Sequence, residues 1–97
     1  MLVALERFDL RIPGCGSLKE KRHVVKTLTG GIRSKFNVAV AEVDHLDLWQ
    51  RTTIAVSAVS GDAYYAKRVM HEVEKFVERW GEVEVIDTDL TLHSPDD

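Results

Sequence analysis

The chain is poor in the residues that announce chemistry. It has a single cysteine, Cys15, among 97 residues. One cysteine excludes an internal disulfide, and without paired Cys or His at ligand spacing there is no zinc motif. Cys15 reads as a small loop residue, since a reactive thiol needs an accessible sulfur held as thiolate. Aromatic residues make up only 7%. The segment RTTIAVSAVS has none, which rules out the base-stacking sheet of an RNA-recognition motif. No apolar run approaches the roughly 20 residues that a membrane span requires. The N-terminus shows neither the basic start nor the small-residue cleavage site of a secretory signal. A cytoplasmic protein with no membrane partner is expected. There is no linker or low-complexity tract, so one domain over residues 1–97 is expected.

What is present is strong periodicity. Leu2 to Ile12 alternates Leu2, Ala4, Phe8, Leu10 and Ile12 against Val3, Leu5, Arg7, Asp9 and Arg11, the signature of a strand with one buried face. Only Glu6 offends the apolar side, which suggests a sheet edge or a bulge. Pro13, Gly14 and Gly16 break the strand, and Ser17 with Glu20 three residues on is a capping-box signature. Leu18, Val25, Leu28 and Ile32 recur at helical spacing and carry the first helix through Gly30 and Gly31 to about Lys35.

The stretch FNVAVAEVDHLDLWQR follows, a second strand running into a segment that holds Glu42, Asp44, His45 and Asp47 beside Leu46, Leu48 and Trp49. Thr52 to Ser60 is a third strand. Asp62 is the expected N-cap of a second helix, with Ala66, Val69, Met70, Val73, Phe76, Val77 and Trp80 on one stripe and Gly81 as its stop. Val83 to Leu92, with Ile86, Leu90 and Leu92 on one face, is a last strand, and the tail from Ser94 to Asp97 reads as loose. The order β-α-β-β-α-β with right-handed crossovers predicts an α+β ferredoxin-like sandwich: a four-stranded antiparallel sheet with two helices on one face.

Charge is unevenly placed. From Arg11 to Lys35 seven basic residues face Glu20 alone, a balance of +6, so the rest of the chain must sum to −9 to reach the net −3. At about 100° per residue, Lys19, Arg22, Lys26 and Arg33 fall on one ridge of the first helix. That ridge, with Ser17, Lys21 and the unpaired N–H groups of the helix start, suits a phosphate backbone. The GxxxxGK[ST] spacing of a nucleotide P-loop is absent. Against nucleic acid stands the overall pI of about 5.8, and such a ridge often does no more than solvate a helix or pair with neighbouring acids.

The acidic segment has side-chain types that bind divalent metals or do acid-base chemistry, but its spacing matches no defined motif. The plainer reading is that Asp44 and Asp47 cap turns, Glu42 pairs with Arg51 or Lys35, and Trp49 packs under the loop. His23, His71 and His93 read as exposed, and Tyr64 and Tyr65 as packing residues.

The loop and helix start IPGCGSLKEKR (Ile12–Arg22), together with FNVAVAEVDHLDLWQR and the aliphatic strand ending at Ser60, resembles the YlxP-like family of small bacterial proteins of unknown function. The matching positions are Ser17, Leu18, Lys19, Lys21 and Arg22, then Asn37, Val38, Glu42, Asp47 and Trp49; Glu6 and the pair Gly30-Gly31 depart from the pattern. The resemblance implies a ferredoxin-like fold, a cytoplasmic location and a role around RNA or the ribosome; it supplies no reaction and no cofactor.

The expectation is therefore a non-enzymatic module. It contacts rRNA or a ribosomal subunit through Ser17, Lys19, Lys21, Arg22, Lys26 and Arg33, and a protein partner through Glu42, Asp44, His45, Asp47, Trp49 and Arg51. The alternatives are a divalent-metal hydrolase or small-ligand protein built on residues 42–47, and a ligand-free homodimer using the open sheet face or a strand edge.

Overall fold

The computed structural model describes residues 1–95. Six elements follow one another: β1 (Leu2–Arg11), α1 (Leu18–Lys35), β2 (Ala39–Asp44), β3 (Arg51–Ser60), α2 (Ala63–Glu78) and β4 (Glu84–His93). They form one sheet of order β2-β3-β1-β4, antiparallel throughout, with the two helices on one face. This is the ferredoxin-like α+β arrangement. Of the tail, Asp96 and Asp97 lie outside the described residues. No helix among the described residues is long and apolar enough to cross a membrane.

The alternation of β1 translates directly into burial. Ala4, Phe8, Leu10 and Ile12 point into the core with Ile54, Val56 and Ala58 of β3, while Leu5, Arg7 and Arg11 face solvent on the uncovered side. The helices close the core with Val24, Val25, Leu28 and Ile32 from α1 and Ala66, Met70, Val73 and Val77 from α2. Ser17 caps α1 by accepting from the Glu20 amide (3.1 Å), and Glu20 returns the bond by accepting from the Gly16 amide (2.9 Å). Asp62 caps α2 in the same way, accepting from the Tyr65 amide at 2.7 Å.

Helix α1 runs unbroken through Gly30 and Gly31, and the reason lies in the partner helix. A Cβ at Gly31 would sit 3.1 Å from Phe76 Cζ and 3.2 Å from two atoms of the Trp80 ring. The residue is small because two aromatics of α2 and the loop after it occupy the space a side chain would need. Those rings pack on each other and, through Phe76, edge-on against Phe36 at 5.8 Å between centroids.

Four expectations are corrected. Glu6 lies neither at an edge nor in a bulge: β1 is an inner strand, and the irregularity in its pairing with β4 falls at Asp9/Leu10. Glu6 is fully buried under the helices. Helix α2 ends at Glu78 with Arg79 as its C-cap, two residues before Gly81. Tyr64 and Tyr65 are exposed rather than packed, and Trp49 is half exposed rather than tucked under its loop.

Candidate nucleic-acid interface and the loop it anchors

The charged residues of α1 separate into two groups. Lys19, Arg22 and Lys26, at helical spacings of three and four, are all exposed, and none forms an ion pair among the described residues. His23 is exposed beside them. Arg33 continues the row one turn beyond Thr29, but its guanidinium donates to the Val40 carbonyl (3.3 Å) and so braces β2. Lys35 is drawn over the Phe36 and Phe76 rings, 5.7 and 5.5 Å from their centroids.

Lys21 belongs to the second group. Its side chain is 1% exposed and its ammonium lies 2.8 Å from Glu42 Oε2. The same ammonium donates to the His45 carbonyl and, at 3.0 Å, to the Leu46 carbonyl. All three donors of the lysine are thereby used, so this cation is withdrawn from any surface partner. Glu42 pairs with Lys21, not with Arg51 or Lys35, and also accepts from the Thr52 hydroxyl at 2.6 Å. Ser17 is likewise engaged in the capping box, which uses the Gly16 and Glu20 amides that an anion would otherwise meet.

Lys21 therefore acts as an anchor for the connection between β2 and β3. That connection turns at His45, whose φ of 58° places it in the left-handed region. Asp44 Oδ1 accepts from the His45 amide at 2.7 Å. The imidazole Nδ1 lies 3.0 Å from Thr53 Oγ1, and that hydroxyl donates onward to Asp9 Oδ1 at 2.7 Å. A hydroxyl has one proton, so His45 Nδ1 must be the donor to Thr53 and the histidine is held as one tautomer. Asp9 is also 3.1 Å from the Arg7 guanidinium, which lies 3.7 Å from Asp87. A polar chain thus crosses the uncovered sheet face from the β2–β3 loop to β4.

With its backbone held at both ends, the loop presents Leu46, Leu48 and Trp49 to solvent at 57, 49 and 51% exposure. Asp47 is exposed among them. Arg51 begins β3 opposite Arg11, and its Nε is buried without a hydrogen-bond partner. A groove of about 500 Å³ runs along Asp47, Leu48, Trp49, Gln50 and Arg51. Glu42, Asp44 and His45 each turn to a different protein partner, and the described residues hold no group of three or more His, Cys, Asp or Glu side chains arranged around a metal position.

A larger cleft, about 580 Å³, opens where the β1–α1 loop meets the turn after α2, lined by Ile12, Pro13, Cys15, Lys19, His23 and Glu82 among others. Cys15 is buried at its wall, with its thiol donating to the Ser17 carbonyl at 3.4 Å. Lys19 thus sits both on the ridge and at this cleft's rim.

Lys21, expected among the anion-contacting surface residues, is instead an inward position, and a signal for this lay unused in the spacing. Residues 21, 25, 28 and 32 form one stripe at steps of four, three and four, and the apolar members are all buried. Thr53 and Asp9 carried no such signal, because they meet across strands 44 residues apart.

A family model described as a protein of unknown function, DUF503, matches residues 3–90. The chain belongs to the DUF503 family. This chain is also 38% identical over 83 residues to the uncharacterized protein YlxP of Bacillus subtilis (strain 168), covering 86% of this chain and 90% of that one. Among solved structures, the protein Rv0793 from Mycobacterium tuberculosis superposes with a TM-score of 0.54 at 14% identity, over 100% of this chain and 97% of that one. The de novo designed protein Foldit4 gives 0.54 at 9% identity, over 97% and 98% of the two chains. At these identities both likenesses concern the fold alone.

Proposed function

We propose that this DUF503 protein is a non-enzymatic, cytoplasmic binding module that docks on structured RNA, such as that exposed on a ribosomal subunit, through Lys19, Arg22 and Lys26 of α1. The observation that carries this reading is the partition of α1's cations. Lys21 is spent inside the molecule on Glu42, whereas three cations on the outer face are exposed and form no ion pair among the described residues. Unneutralised cations at a spacing of one helical turn attract a phosphate backbone, since each contact releases condensed counterions. A net charge of −3 keeps such binding local and weak rather than general. The preorganised Leu46–Trp49 loop, adjacent through Lys21, would contact protein, because exposed aromatic and aliphatic anchors on a fixed backbone bind at low entropic cost.

Co-sedimentation with ribosomal subunits across a salt series tests the proposal, comparing the wild type with a Lys19→Glu/Arg22→Glu/Lys26→Glu variant of unchanged stability. Binding at low salt that fades steeply with ionic strength and is lost in the variant is expected. Absence of binding by the wild type at low salt would refute ribosomal docking.

A further inference from the structure

The two edges of the sheet are not alike. Strand β2 is six residues long, and one of its carbonyls, that of Val40, is taken by the Arg33 guanidinium from α1. Strand β4 is ten residues long and pairs only with β1. Every residue from Ile86 to His93 is exposed. An edge of this length is usually blunted by lysine, proline or a covering element. Strand β4 has neither lysine nor proline, and its pairing irregularity, itself a device that blunts an edge, lies near the strand's start, leaving Thr88 to His93 in regular register with β1.

The side chains of β4 are sorted by face. Leu90 stands opposite Glu6 and Leu92 opposite Ala4, so both lie on the helix side, yet they remain 38 and 37% exposed because β4 is outermost. Asp87 and Asp89 stand opposite Asp9 and Arg7 on the uncovered side. Asp87 shares the Arg7 guanidinium, but Asp89 and Glu84 form no ion pair among the described residues. The edge therefore carries part-exposed Leu90 and Leu92 toward the helix side and the acidic Asp87, Asp89 and Glu84 toward the other, where Arg7 and Arg11 stand opposite Asp89 and Glu84 without a close ion pair.

From this arrangement we infer that β4 is a docking edge for an extended basic segment of a partner protein, one that alternates apolar residues with lysine or arginine and adds a fifth strand to the sheet. Backbone hydrogen bonds supply the pairing, the aliphatic residues cover Leu90 and Leu92, and the basic residues meet Asp89 and Glu84. Charge argues against a second copy of this chain as the occupant. An antiparallel pairing of β4 with itself centred on Asp87, Thr88 or Asp89 opposes aspartates directly, which is destabilising, and the register centred on Leu90, which avoids this, is the dimer that the test below reads. This edge lies outside the α1 ridge, so the inference is independent of RNA docking.

The test uses the full chain and a fluorescent synthetic peptide of about eight residues alternating valine and lysine, with a control peptide of the same composition in which the valines and lysines are in two blocks. The alternating peptide is expected to bind about fivefold or more tightly than the blocked one. Glu84→Lys/Asp89→Lys should weaken it by about tenfold. Amide hydrogen exchange of wild-type β4 should slow about tenfold with peptide bound while that of β2 does not change. Equal binding of both peptides, or β4 amides that exchange at an unaltered rate under saturating peptide, overturns the inference. So does a stable dimer in sedimentation whose β4 amides are already protected without peptide.

Discussion

The ammonium of Lys21, 1% exposed, lies 2.8 Å from Glu42 Oε2, joining the first turn of α1 to the end of β2. Two loop carbonyls complete its hydrogen bonding. A buried ion pair adds little net stability over an apolar pair, but breaking one side of it is costly because the other charge is stranded. Lys21→Met should therefore lower unfolding free energy by about 3 kcal/mol. Glu42→Gln keeps an acceptor but leaves the 1%-exposed Lys21 ammonium without its counter-charge, so it should cost about as much. Urea denaturation checks both, and hydrogen exchange should show residues 45–50 loosened in Lys21→Met before the core is affected.

Glu6 makes stability fall as pH rises. Burial comes first among the causes that raise its pKa from 4.5 to about 8, followed by the hydrogen bond and repulsion from Glu74 and the charge of Asp89. Among the described residues neither oxygen of Glu6 finds a donor. Its neighbour Glu74 is an acceptor when ionised, so the two carboxyls bond only while one carries a proton. Glu74 in turn lies 3.7 Å from His71, half on the surface. The folded state then holds a proton that the unfolded chain releases near pH 4.5, and stability declines between about pH 4.5 and pH 8, levelling beyond. Glu6→Gln should flatten that decline and raise stability at pH 8 by a few kcal/mol, on the order of 1.4 kcal/mol per pKa unit removed, with little change at pH 4.5. Thermal melts across pH measure it, and equal slopes in the two proteins would contradict the buried-proton explanation.

The adjacent glycines of α1 should respond with opposite signs. Nothing lies within 4 Å of a Cβ at Gly30, so Gly30→Ala should stabilise by about 0.5–1 kcal/mol through helix propensity. At Gly31 the same methyl meets Phe76 and Trp80. These rings pack on each other at 5.4 Å between centroids and must shift for the methyl to fit. Gly31→Ala should lose about 1 kcal/mol, with overpacking outweighing propensity. Paired denaturant melts decide it.

Much of this molecule is written in its periodicity. The alternation of β1 and β3, the stripe of α2, and the caps Ser17 and Asp62 each follow from local chemistry that needs no partner to be recognised. Glu6 and Lys21 defeat that reading for a common reason. Each occupies an inward position by period, Glu6 between Ala4 and Phe8 and Lys21 in line with Val25, but composition labels both as surface residues. Their charged neighbours, Glu74 and Glu42, lie far away along the chain. Trp49 errs in the other direction: an aromatic residue near a strand promises packing, but the turn at His45 carries it outward. The ridge Lys19, Arg22 and Lys26 is legible because helical spacing alone places the three together, whereas the engagement of Arg33 with Val40 depends on how β2 docks.

Trp49 should behave as a surface residue. At 51% exposure, Trp49→Ala should change stability by no more than about 0.5 kcal/mol. The fluorescence lost in that variant should be the red-shifted, readily quenched part of the spectrum, leaving that of Trp80. A blue-shifted loss would place Trp49 in an interior.

The most direct test of docking through α1 is the salt dependence of affinity for a structured RNA, measured for the wild type and for a Lys19→Ala/Arg22→Ala/Lys26→Ala variant. If the three cations contact phosphates, log K should fall with log salt at a slope of about −2 to −3, and the variant's slope should approach zero. Equal slopes in the two proteins, or wild-type binding that ignores salt, would contradict a phosphate-contacting ridge on α1.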